Sequence, residues 1–280
     1  MPEDPPLTGE HADPAAIEAR RTAFGEVASA YDRVRAPWPD ATVDWLIGSP
    51  PAGQSRLVID IGAGTGKATR TLAGLGHQVV AVDPSDGMLA ALRRSLADLP
   101  AEVAARVEVV ASPAEELALP DGRADAVLVA QAWHWFDTTR AGAQCARVLR
   151  PGGWLGLGWH VWGEDTGPDG WLEELAEIVG NPEVAAGPGA EPPPSLRGGL
   201  PDAFGPLERR LFAFEHVLRP DELVLLASSW SYVQIHPRRE AVLAAVGRLA
   251  QRVARQTMGY ADPVLVLPQL SDCYRARRLP

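Results

Sequence analysis

The chain is short of several things. Its two cysteines, Cys145 and Cys273, stand far apart in 280 residues. No disulfide framework, Cys-x-x-Cys pair or zinc spacing can be built from them, and both read as small core residues. Lysine is nearly absent: Lys67 is the only one, and every other basic residue is arginine. Acidic residues outnumber basic ones by 36 to 26, a formal net charge of −10. That balance argues against general affinity for nucleic acid or anionic lipid, which need a basic footprint. No apolar run approaches the ~20 residues that cross a bilayer, so no membrane partner is expected. The acidic, proline-rich start lacks the basic residues and apolar stretch of a secretion signal, and a cytoplasmic location is the expectation. What is present is ordinary for a globular chain, 46% apolar and 22% charged residues. A chain of this length buries about three quarters of its unfolded surface without help from a metal.

The pattern divides the chain. Residues 1–20 hold five acids, four prolines and one arginine and read as a disordered tail. Residues 21–50 have helical patches broken at Ala36-Pro37-Trp38-Pro39 and are expected to form an N-terminal helical lid. From 51 to 160 short apolar runs alternate with amphipathic stretches. Strands are expected at Leu57–Ile61, His77–Val82, Arg106–Ala111, Ala126–Ala130 and Trp154–Trp159, with helices between them. That alternation implies an α/β fold with a parallel sheet covered on both faces. Ligands in such sheets bind beyond the C-terminal strand ends, near the point where strand order reverses. Residues 161–206 form an insert, with a helix at Trp171–Val179. Its stretch from Gly180 to Gly205 carries twelve Gly or Pro and reads as a mobile loop, a candidate lid. Residues 207–280 return to the sheet, with strands at Leu207–Val217 and Leu270–Leu279 and covering helices between them.

The strongest local signal is Asp60-Ile61-Gly62-Ala63-Gly64-Thr65-Gly66-Lys67, at the first strand-to-helix turn. Glycines there let backbone approach a ligand closely, and a helix start offers unpaired N–H groups. The dinucleotide fingerprint fails, because its third glycine would fall at Lys67. The phosphate-loop pattern fails twice, at Ile61 and at Ala68.

What remains, Asp-x-Gly-x-Gly-Thr-Gly after an apolar strand, resembles the first motif of class I S-adenosylmethionine-dependent methyltransferases. Asp83 ends the second strand, where that family places its ribose-binding acid; two carboxylate oxygens can accept from vicinal hydroxyls. Arg150-Pro151-Gly152-Gly153 resembles the family's turn before strand five. A narrower resemblance, to small-molecule methyltransferases like the trans-aconitate methyltransferases, is carried by Tyr31-Asp32-x-x-Arg35, Trp38-Pro39, Gln131-Ala132-Trp133-His134-Trp135-Phe136-Asp137 and Trp230-Ser231-Tyr232. The resemblance implies a Rossmann-like doubly wound sheet of seven strands, mostly parallel with an antiparallel last strand. It implies S-adenosylmethionine as cofactor, S-adenosylhomocysteine as product and a small-molecule acceptor, a hydroxyl or a small carboxylic acid.

The same resemblance implies a cofactor site from Asp60, Gly62, Ala63, Gly64, Thr65, Gly66, Asp83, Pro84, Met88, Ala114, Glu115 and Gln131, with Tyr31 and Arg35 closing over it. Many members place an acid before the alanine of the segment after strand three; here that position is Pro113, which has no acceptor side chain. Trp38, Trp133, His134, Trp135, Trp159, Trp230 and Tyr232 are expected around the acceptor. His134 is a candidate general base, its ordinary pKa lying near neutrality, and Tyr31 a second catalytic candidate. No metal is expected, and the chain is expected to act as a monomer or homodimer. A cofactor-binding protein without catalysis, or an NAD-dependent oxidoreductase, remains an alternative.

Overall fold

The computed structural model describes residues 34–163, 170–185, 189, 191–257 and 261–280. The expected tail, Tyr31 and the rest of residues 21–33 lie outside the described residues. Seven strands make one sheet: β1 (Leu57–Ile61), β2 (Gln78–Asp83), β3 (Val107–Ala111), β4 (Ala124–Ala130), β5 (Leu149–Trp162), β6 (Glu208–Leu218) and β7 (Leu265–Arg277). Their order is β3-β2-β1-β4-β5-β7-β6. Strands β1 to β5 pair in parallel. The last strand, β7, inserts between β5 and β6 and runs antiparallel to both. Strand order reverses between β1 and β4, where a doubly wound sheet opens its ligand crevice.

Helices α1 (Asp40–Leu46), α2 (Lys67–Gly74), α3 (Asp86–Ala97), α4 (Ala101–Ala104) and α5 (Thr138–Val148) belong to the alternating half. Their ends follow from local chemistry. Ser85 caps α3 by accepting the Met88 N–H. Asp137 caps α5 by accepting the Thr139 and Arg140 N–H groups, a contact worth about 1 kcal/mol. The α1 segment is a fixed part of the core, with Val43, Leu46 and Ile47 fully buried.

Both β5 and β7 are longer than their local patterns suggest, because they extend one another. They pair from Trp154↔Arg277 to Trp162↔Gln269, so interstrand hydrogen bonds carry strand geometry into segments that read as loop. The β6–β7 edge is fastened by a two-pronged contact, Arg209 Nε and Nη2 donating to the Asp272 carboxylate at 2.8 and 2.9 Å. Side chains of one strand alternate between faces. The register therefore sets His160 and Trp162 of β5, Gln269 and Ser271 of β7, and Phe214 and His216 of β6 on one face. Glycine at 158 lets Trp38 lie against that face; a Cβ there would sit 2.8 Å from its ring.

Four more helices, α6 (Trp171–Val179), α7 (Pro220–Ser228), α8 (Ser231–Gln234) and α9 (Arg239–Gln256), build a second core. Leu172, Leu175, Val246, Leu249 and Val253 pack there with Leu265 and Leu267 of β7. The glycine- and proline-rich segment is anchored where it is described. Leu196 and Phe204 are buried in the main core, and the Ser195 carbonyl accepts the Trp133 indole N–H. Two apolar anchors hold a stretch whose composition suggested mobility.

Candidate active site

After β1 the chain turns through Gly62–Gly66 into α2. The N–H groups of Gly62 and Ala63 both donate to the Val82 carbonyl, at 2.8 and 3.0 Å, which fastens the loop to the end of β2. Asp83 holds it from the other side. Its Oδ2 accepts the Gly64 N–H at 3.0 Å and its Oδ1 the Ser85 N–H at 2.9 Å. Asp60, one strand over, is buried, and the Thr69 hydroxyl donates to its Oδ2. Its Oδ1 is also buried, with no partner. Burial pushes the Asp60 carboxyl up to about 6, the Thr69 hydroxyl opposing the shift and the Asp83 charge adding to it.

These groups open into a cavity of about 500 Å³, within the usual range of small-molecule sites. It runs along the sheet's C-terminal edge, from the glycine loop and Asp83 past the end of β4 to β5, β7 and β6. The bend at β4 is made by Gln131, a non-glycine residue at φ +58°, a backbone conformation that side chains disfavour by about 1–2 kcal/mol. Its N–H donates to the Gly158 carbonyl at 2.8 Å, which holds the bend in place.

The structure brings together most of the residues singled out from sequence. Arg35, Asp60, Gly62, Ala63, Gly64, Thr65, Asp83, Pro84, Met88 and Gln131 line the cavity, as do Trp38, His134, Trp135 and Trp230. Burial lowers the Arg35 guanidinium to about 10, which still leaves it charged at neutral pH. Others stand outside the lining. Gly66 is the left-handed N-cap of α2. Ala114 is buried in the main core, and the Glu115 carboxylate accepts the Asp137 N–H. Trp133 is fully buried beneath the rim. Trp159 packs behind His134 and donates its indole N–H to that residue's Nδ1 at 3.2 Å. Tyr232 stacks on Trp230. Burial, and then the Arg35 charge, lower the His134 pKa, so its imidazole is neutral at neutral pH. With Nδ1 accepting from Trp159, the ring proton of that neutral imidazole sits on Nε2.

Sequence reasoning missed His160, His216 and Gln269, all of which line the cavity. Trp38 stacks on the His160 ring at 4.0 Å, while its Nδ1 meets the Ser271 hydroxyl at 3.1 Å. Burial holds His160 near 3 and His216 near 4, with neighbouring positive charge adding to both shifts; the Pro37 carbonyl opposes the first and the Glu222 carboxylate the second. Both imidazoles are therefore neutral at ordinary pH. The available signal was the alternation of β6, which puts Phe212, Phe214 and His216 on one face. Among the described residues no group of three or more His, Cys, Asp or Glu is placed to hold a metal.

A glycine-rich turn after β1, an acid ending β2 that grips that turn, and a sheet whose last strand runs antiparallel between β5 and β6 define a class I S-adenosylmethionine-dependent methyltransferase. The residues present fit that cofactor. The unpartnered Asp60 Oδ1 suits a positively charged group, and the loop backbone lies open to the cavity. Comparison with known proteins agrees. A methyltransferase-domain family matches residues 59–157. The uncharacterised methyltransferase Rv3342 of Mycobacterium tuberculosis is 40% identical over 253 residues, covering 90% of this chain and 94% of that protein. An uncharacterised methyltransferase-like protein of Schizosaccharomyces pombe, C25B8.10, is 31% identical over 80% of this chain and 84% of its own length. Among solved structures, one described as a type II methyltransferase from Anaeromyxobacter dehalogenans superposes with a TM-score of 0.65 at 27% identity, covering 88% of this chain and 99% of that one. The chain belongs to the methyltransferase family.

Proposed function

We propose that the protein transfers the methyl group of S-adenosylmethionine to a small organic molecule held between the end of β4 and the face formed by β5, β7 and β6. The observation that carries this reading is the continuity of the cavity. One 500 Å³ space joins the glycine loop and Asp83 to an aromatic-walled end containing Trp38, Trp162 and Trp230. The negative net charge also favours a small acceptor over nucleic acid.

When bound, the cofactor supplies an electrophilic methyl carbon on a sulfonium. The chain's own groups then have separate tasks. Asp83 holds the ribose hydroxyls, its orientation already set by the Gly64 and Ser85 N–H groups. Asp60 Oδ1 takes the amino group and Arg35 the carboxylate, a charge-assisted contact that a guanidinium makes well. The tryptophans exclude water and fix the acceptor in line with the methyl group; such positioning is the main catalytic resource for a displacement of this kind.

The test is calorimetric titration of the purified protein with S-adenosylhomocysteine and with NAD, followed by transfer of labelled methyl from S-adenosylmethionine to a panel of hydroxyl and carboxylate acceptors. Stoichiometric binding of S-adenosylhomocysteine alone, with label appearing in a small product, is the expected result. Binding without transfer to any acceptor would favour a non-catalytic cofactor-binding protein, and tight NAD binding an oxidoreductase.

A further inference from the structure

We infer that the acceptor is an uncharged planar ring compound bearing hydroxyl groups, held by His160, His216 and Gln269 and methylated on oxygen. The inference rests on the methyltransferase reading and specifies its acceptor.

Three buried polar atoms lack a well-formed hydrogen bond at one end of one cavity: His216 Nδ1, Gln269 Oε1 and His160 Nε2, the His160 ring also meeting the Pro37 carbonyl. Buried polar atoms are nearly always paired. Three under-satisfied atoms drawn from adjacent strands, on one sheet face, mark where a ligand's own polar groups belong. None of the three carries charge at neutral pH, so they match hydroxyl groups, which can both donate and accept.

The walls specify the rest. Trp38 stacks on His160, with 4.0 Å between ring centroids and 27° between the ring planes. Trp162 and Trp230 meet edge to face at 5.4 Å. Flat aromatic walls favour a flat ring. Charge excludes an amine. Arg35, Lys67 and His216 face His160, while Lys67 and Glu222 face His216. The two carboxylates lining the cavity, Asp60 and Asp83, belong to the β1–β2 end. An ammonium at the histidine end would meet positive neighbours and no lining carboxylate.

Because β5 neighbours β4 and the glycine loop, His160 faces the reacting hydroxyl, while His216 and Gln269 hold the far one. As the hydroxyl oxygen forms its bond to the methyl carbon, the carbon–sulfur bond breaks and its electron pair stays on sulfur, leaving a thioether. The hydroxyl proton, made strongly acidic by the new bond, passes to Nε2 of His160 and then to solvent. A weakly basic imidazole suffices for a proton released that late.

The probe is 2,6-dihydroxynaphthalene, titrated by tryptophan fluorescence into protein saturated with S-adenosylhomocysteine. Naphthalene, 2-naphthoate and 2-naphthylmethylamine are the comparisons. The dihydroxy compound is expected to bind at least tenfold more tightly than each. That preference should fall at least threefold in Gln269→Leu and in His216→Leu, with S-adenosylhomocysteine affinity unchanged within twofold. With S-adenosylmethionine, the wild type should yield the monomethyl ether, detected by mass, and His160→Phe should not. Equal or tighter binding of any comparison compound, preference retained in both variants, or binding without transfer would each overturn the inference. Failure of the wild type to bind S-adenosylhomocysteine would instead remove the methyltransferase reading beneath it.

Discussion

The indole N–H of Trp159 donates to Nδ1 of His134 across 3.2 Å. A neutral imidazole has one N–H and one lone pair, so this contact fixes the lone pair on Nδ1 and leaves Nε2 as a donor. His134 can therefore orient a ligand but has no free lone pair with which to take its proton. His134→Asn keeps an acceptor for Trp159, and its kcat/KM should fall by less than about tenfold with an unchanged pH profile. A loss of about 10²–10⁴, the size of a general-base contribution, together with the disappearance of the acidic limb, would restore the role of base. His134→Ala leaves the buried indole N–H unpaired and should cost about 1–3 kcal/mol in a urea unfolding experiment.

Two glycines of the loop should fail in different ways. Gly62 sits at φ +70°, and a Cβ there would lie 2.5 Å from the Ala132 Cβ. Gly64 sits at φ +56°, with open space around its Cβ position. Gly62→Ala should lower Tm markedly, since neither backbone nor Ala132 can yield cheaply. Gly64→Ala should lower stability only by the cost of a left-handed alanine, about 1–2 kcal/mol, and act mainly by intruding on the cavity that Gly64 lines. Thermal melts and S-adenosylhomocysteine titrations on both variants distinguish the two; equal loss of Tm would refute the contrast.

Asp83 presents an oxygen to each of two backbone N–H groups. Asp83→Asn replaces one acceptor with an amide NH₂ facing a donor. Hydrogen bonds to a charged group are worth about 1.5–3 kcal/mol, so cofactor affinity should drop roughly 10- to 100-fold while the far-UV spectrum is unchanged. Calorimetry showing affinity within twofold of wild type would exclude Asp83 from the cofactor site.

Asp60 ties cofactor binding to pH. Its folded carboxyl titrates near 6, raised by burial from its ordinary value of 3.8. Without ligand, its contribution to stability is present below the unfolded value and is lost as pH rises through 6, because the ionised form is then buried with Oδ1 unpartnered. Asp60→Asn should therefore be more thermostable than wild type at pH 8 in the absence of ligand. A bound ammonium group favours ionised Asp60, so S-adenosylhomocysteine affinity should be flat above pH 7. It should fall by up to about tenfold per unit below 6, and the Asn variant should lose this dependence. Calorimetry at pH 5, 6 and 8 on both proteins would expose a flat wild-type profile, which would contradict the assignment.

Much of the cofactor side was legible along the chain because it is local. The glycine loop spans five residues between an apolar strand and a helix, and Asp83 is the next strand's last residue, so period and turn chemistry locate both. The acceptor side was legible only in part. Trp38, Trp135 and Trp230 line the cavity, whereas Trp133 and Trp159 lie behind it. An aromatic residue near a strand end can face either way, and its neighbours in sequence do not say which. Ala114 and Glu115, placed by resemblance in the cofactor site, are engaged in the core and with the Asp137 N–H.

The sequence by itself determined the alternating half, the glycine turn and the acid that grips it, since each depends on residues within a few positions of one another. Only the tertiary structure decided that β7 would slide between β5 and β6. That pairing gathers His160, Gln269 and His216 from positions more than fifty residues apart onto one face. A register is set by hydrogen bonds and burial across strands, and no local pattern in any one of them encodes which partner the other two supply.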